Sequence, residues 1–176
     1  MTLQLTMKTC NILTLLLTLA SISCNKATPA GFWKNYETTF LLNNISDQGP
    51  YGGHRAIYWK ADKEHSFNSQ DVFEFARKNG WTLVDSSEFT EDQTNKWTYS
   101  NNDVFPLTST GFSDTLLTNA QLEYFPRWFG GQISVYKFKT GWVTIKPGTD
   151  NSIEENGFVL ISKDKREMAV YHLWGE

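Results

Sequence analysis

The chain has 176 residues, a formal charge of −3, 40% hydrophobic residues and an aromatic share of 15% that includes seven Trp. That length suits one compact domain, is short for two, and buries a sizeable core without covalent staples. The slightly acidic balance excludes the broad basic footprint of a nucleic-acid or anionic-lipid binder, and the aromatic content excludes a disordered chain.

Residues 1–23 carry a single charge, Lys8, followed by an apolar run from Ile12 to Ile22 broken only by Thr and Ser. Eleven residues of helix rise about 16 Å, too little for the roughly 30 Å hydrocarbon core of a bilayer. The run instead suits the apolar region of a secretory signal, with small Ser21 and Ser23 placed for cleavage. Met7 followed by Lys8 is an alternative start to Met1. Without this leader the chain has a net charge of −4, because Lys8 is its only charged residue.

The stretch Leu19-Ala20-Ser21-Ile22-Ser23-Cys24 resembles the lipobox of bacterial lipoproteins, with Ser21 where that family usually has Leu. The resemblance covers only this N-terminal stretch. It implies cleavage before Cys24, a diacylglyceryl group on the Cys24 thiol, and an acylated new amino terminus. Ordinary secretion with cleavage at the same bond is the alternative. Cysteine arithmetic favours the lipid: the only other cysteine, Cys10, lies in the leader, so secretion alone would expose an unpaired thiol. The expected location is the bacterial cell envelope, anchored to a membrane on the periplasmic side or at the outer membrane. The mature chain then has no disulfide, and packing alone must stabilise it.

Residues 24–31 read as the lipidated cysteine with a short polar tether, and 32–176 as one globular domain. Phe32, Tyr36 and Phe40 recur at helical spacing. Residues 43–53, rich in Asn and Gly, read as loop, and 54–61 as a strand with Ile57 and Trp59 on one face and Tyr58 on the other. A helix is expected over 70–79. Asn68 or Ser69 caps it, Asp71 and Glu74 lie near its start, Arg77 and Lys78 near its end, and Gly80 stops it. A new strand begins over 81–84, which makes a strand–helix–strand unit.

Residues 85–120 read as an irregular polar loop, long for a domain of this size. Two hairpins follow, one pairing 133–138 with 142–146 and the other 158–162 with 168–174. The last strand carries apolar residues on both faces and is expected in the middle of its sheet. The fold class is α+β: a largely antiparallel sheet of about five to seven strands, ending in a C-terminal meander, with one or two helices on it.

No catalytic, cofactor or metal signature emerges. The segment Gly49-Pro50-Tyr51-Gly52-Gly53-His54-Arg55 is the best local candidate for a ligand contact, since glycines let amides approach an anion and Arg55 can pair with it. It lacks phosphate-loop spacing and reads more readily as a turn. His54, His65 and His172 lack zinc-helix spacing. The acidic runs Glu88, Glu91, Asp92 and Asp150, Glu154, Glu155 do not fit a calcium loop. Trp59, Trp81, Trp142 and Trp174 sit in strand-like patterns and read as core. Trp97 and Trp128, with Tyr99 and Tyr124, are the better candidates for an exposed platform that binds a glycan or a protein. The leading expectation is a non-catalytic module that binds another protein, such as an inhibitor, an immunity protein or an assembly factor. A glycan-binding lipoprotein and a hydrolase with a dispersed carboxylate and His site are the alternatives.

Overall fold

The computed structural model describes residues 29–95, 107–108, 111–112, 126–145 and 150–175. Their order is two 3₁₀ turns (Gly31–Asn35, Thr38–Phe40), β1 (Leu41–Gly49), β2 (Gly52–Lys60), α1 (Ser69–Lys78), β3 (Thr82–Phe89) and α2 (Glu91–Asn95). The short pair β4 (Leu107–Thr108) and β5 (Gly111–Phe112) comes next, then β6 (Ile133–Lys139), β7 (Thr144–Ile145), β8 (Ser152–Ile153), β9 (Gly157–Ser162) and β10 (Glu167–Gly175). The class is α+β with a mostly antiparallel open sheet.

That sheet runs β1-β2-β10-β9-β6-β3, with β7 pairing parallel to the end of β10 and antiparallel to β8. Its eight strands slightly exceed the five to seven expected, the surplus being the two-residue pieces β7 and β8. Strands β2 and β3, which flank α1, run in the same direction but lie four antiparallel steps apart. The strand–helix–strand unit therefore spans the sheet instead of joining neighbours.

Each face has its own core. Trp33, Ile57, Trp59, Trp81, Phe138, Val159 and Met168 pack beneath Val72 and Ala76 of α1. Ala56, Tyr58, Val135, Phe158, Leu160 and Tyr171 form the opposite face, with Phe129 against them. Alternation along β2, β9 and β10 produces both, because successive side chains of a strand point to opposite sides. β10 lies between β2 and β9, as its two apolar faces imply.

α1 keeps its expected bounds to within a residue. The Asn68 side-chain oxygen accepts from the Gln70 N–H at 3.0 Å, and Gly80 takes φ 91° just after the helix. Asn68→Ala is expected to cost about 1 kcal/mol in urea unfolding, and Asn68→Asp close to nothing.

Four expectations need correction. Residues 32–40 form no continuous helix: Tyr36 is extended and Glu37 left-handed at φ 39°, so two 3₁₀ turns replace it. Residues 43–49 are strand, and only Pro50 and Tyr51 remain as a turn. Residues 85–89 complete β3, and 91–95 are helical. The 133–138 strand pairs with β3 and β9, not with the described residues 142–145 of the expected hairpin; Thr140 and Gly141 lead the chain away, and Thr140 bonds back to Glu154 and Asn156. The second hairpin, β9 with β10, forms as expected. The folded part also starts earlier than residue 32, since Pro29, Ala30 and Gly31 are already buried.

Candidate functional site

Among the described residues β1 is an edge strand that pairs only with β2, and every residue of it after Leu41 is exposed. Exposed edges are normally blunted by Lys, Pro or inward charge, because their free N–H and C=O groups template pairing with another chain. β1 contains no Lys, Arg or Pro, and Asp47 is its single charge. Leu42 is 58% and Ile45 40% exposed. The opposite edge, β3, carries two charges, Asp85 and Glu88; each edge has one register shift, between Leu41 and Asn43 in β1 and between Leu83 and Asp85 in β3. By register, Asn44, Ser46 and Gln48 lie on the α1 side of β1, while Asn43, Ile45 and Asp47 lie on the other.

The α1 side of this edge leads into a polar row. Asn44 on β1 accepts from Arg55 Nη1 on β2 at 3.1 Å, and Arg55 lies directly across from His172 on β10. The His172 ring is 5.0 Å from Trp174 and 5.3 Å from Trp81. Arg55 Nε, both His172 ring nitrogens and Trp174 Nε1 are buried without a hydrogen-bond partner. Burial pushes the His172 pKa down to about 3, helped by the Arg55 charge, and burial also lowers Arg55. A guanidinium removed from water without a carboxylate is costly, so the row holds donors in excess of acceptors.

His54 and Arg55, adjacent in sequence, do not share a ligand site. His54 sits on the opposite face of β2, beside Asp47, and burial lowers its pKa more than Asp47 raises it. The glycines around them serve backbone packing. A side chain on Gly52 or Gly175 would collide with the other strand's backbone, and one on Gly53 would lie 2.6 Å from Trp174 Cζ2. The segment is thus a hairpin turn whose tip, Tyr51, is 75% exposed.

Trp128 is half-buried and lies flat against Tyr58 and Tyr171, with ring centroids 5.3 and 5.8 Å apart. It thereby covers the second core, which limits its use as a free platform. Trp97, Tyr99, Tyr124 and Cys24 lie outside the described residues. Trp59, Trp81 and Trp174 are core as expected, but Trp142, between the end of β6 and the start of β7, is 41% exposed. His65 pairs with Asp62 in an exposed turn at 2.6 Å, which raises its pKa. Glu154 and Glu155 pair with Lys139 and Lys137. Among the described residues no group of three or more His, Cys, Asp or Glu is placed to hold a metal, and no helix is long and apolar enough to cross a membrane.

Sequence reasoning missed β1 and the row Asn44–Arg55–His172. The signal for the edge was available only through β2: a two-residue turn after a strand demands a partner of similar length. No protein-family model matches the chain, and neither does any curated protein or solved structure.

Proposed function

We propose that the chain is a lipoprotein of the bacterial envelope, anchored through Cys24, whose folded part is a single non-catalytic domain that binds another protein. The observation that carries the binding role is β1: nine residues at the sheet edge among the described residues, eight of them exposed, on both faces, with no Lys, Arg or Pro and Asp47 as the single charge. A partner adds an extended segment to this edge. Main-chain hydrogen bonds supply affinity, and side chains meeting Leu42 and Ile45 or the amide row supply selectivity. An inhibitor, an immunity protein and an assembly factor all fit this mode. It calls for no cofactor, metal or nucleic acid.

A photo-crosslinking residue at Ile45 in the full chain tests this in the native envelope. A discrete protein adduct is expected at Ile45 and not at Glu74, which is exposed on α1 away from the edge. Equal labelling at both positions, or none at Ile45, would remove the edge as the binding surface. Fatty-acid labelling compared with Cys24→Ser tests the anchor separately.

A further inference from the structure

One end of the fold gathers features that the protein-binding role leaves unused. A cleft of about 360 Å³ opens there, lined by Pro29, Phe32, Arg77, Lys78, Trp81 and Trp142 among others. Trp142 and Val143 are 41% and 45% exposed. The Gly175 N–H donates to the Val143 carbonyl at 2.6 Å, and Gly175 also packs against the backbone of Tyr51 and Gly52. The exposed Tyr51 ring, Trp142 and Val143 therefore belong to the same end. Arg77 is exposed and its guanidinium forms no ion pair among the described residues, whereas Lys78 is held at 2.8 Å by Glu74, on which the Arg77 charge also acts.

Chain length fixes what this end faces, on the reading that Cys24 carries lipid. Only Asn25 to Thr28 separate that cysteine from buried Pro29. Fully extended, the connection from Cys24 to Pro29 spans at most roughly 18 Å. A domain of this size is roughly 40 Å across. The tether is too short to let the far side of the domain reach the bilayer, and Pro29 itself lines the cleft.

The geometry points to this end as a membrane-contacting surface, with the cleft receiving the phosphate of a phospholipid headgroup. Arg77 supplies the charge for the phosphate. Trp142 and Tyr51 have the amphipathic rings that settle at headgroup level, with Val143 beside Trp142. The net charge of −4 on the chain from Cys24 on does not oppose this, because attraction at a surface is decided by the charges within about a Debye length of it. The edge strand β1 then stays free for a protein partner.

The test uses the full lipidated chain, reconstituted into vesicles of ring-quenching brominated phosphatidylcholine, with and without phosphatidylglycerol. Fatty-acid label on Cys24 is verified first. Tryptophan quenching is expected, most of it lost in Trp142→Phe, and phosphatidylglycerol should deepen it in the parent chain but not in Arg77→Gln. A labelled chain whose quenching ignores Trp142→Phe overturns the surface and leaves the anchor standing. Quenching that depends on Trp142 but is equal in both lipids and in Arg77→Gln overturns the phosphate site. Absence of label on Cys24 overturns the anchor and the inference with it.

Discussion

Trp59→Ala is expected to destabilise the protein by about 3–5 kcal/mol, enough to bring a domain of ordinary stability close to its unfolding midpoint. Trp59 is fully buried on β2, and its ring meets those of Trp33 and Tyr36 at 6.4 and 6.3 Å. Its Nε1–H donates to the Tyr36 carbonyl at 2.8 Å. The substitution therefore removes an aromatic core, opens a cavity and leaves that carbonyl without its donor. Trp59→Phe keeps much of the packing and loses the hydrogen bond, so a cost of about 1–3 kcal/mol is expected. Urea unfolding checks both, and equal costs for Ala and Phe would show that the ring is not what binds this corner together.

The same contact ties stability to placement. Trp33 lies in the 3₁₀ turn that begins two residues after Pro29, and Tyr36 is the extended residue that ends it. When Trp59 is truncated, that segment loses its main anchor and is expected to exchange its amide hydrogens at lower opening cost than the sheet. In a lipid-anchored chain, its release lengthens the tether by several residues and frees the domain from the bilayer surface.

What was readable in the sequence follows from which forces are local. α1 was legible to within a residue because Asn68, the charge gradient from Asp71 to Lys78, and Gly80 are all local signals. β10 was legible because both of its faces are buried, which leaves a run of apolar residues. β1 was not, since Asn43, Asn44, Ser46 and Asp47 have low strand preference and no buried side to produce alternation; pairing with β2 alone makes it a strand. The stripe Phe32, Tyr36, Phe40 has the right period for a helix, but Trp33, Tyr36 and Phe75 packing against one another takes precedence over it. β6 missed its local partner for a similar reason: Val135 and Phe138 gain two buried faces between β3 and β9.

The candidate site was less legible than the fold. Arg55 was named from its glycine-rich neighbourhood, yet its environment is made by His172, far away in the chain and brought opposite it by the β2–β10 register. A single-residue slip would have placed His54 there instead. The aromatic candidates fared unevenly because Trp128 is consumed by Tyr58 and Tyr171, while Trp142, read as core, reaches the surface.

Stability is expected to fall steadily as pH drops below about 6.5, and His172→Leu should remove most of that slope. Native His172 is neutral, its pKa pushed down to about 3, whereas in the unfolded chain it titrates near 6.5. Between those values the unfolded state binds the extra proton, so unfolding free energy rises with pH, by up to about 1.4 kcal/mol per unit. His54, also lowered by burial, adds a contribution of the same sign. His65 acts oppositely: its raised pKa gives stability that is present at low pH and lost as pH rises through its folded value. In His172→Leu the two buried, unpartnered nitrogens disappear along with the titration, so stability at neutral pH should hold or increase. Urea unfolding at several pH values between 4 and 7.5 separates the cases. A slope unchanged in His172→Leu would mean that water or a rearrangement reaches this ring, and that the row from Asn44 to Trp174 opens in the native state. A slope that vanishes leaves Arg55 as the charge in that row still lacking a carboxylate, beside the edge where a partner strand would arrive.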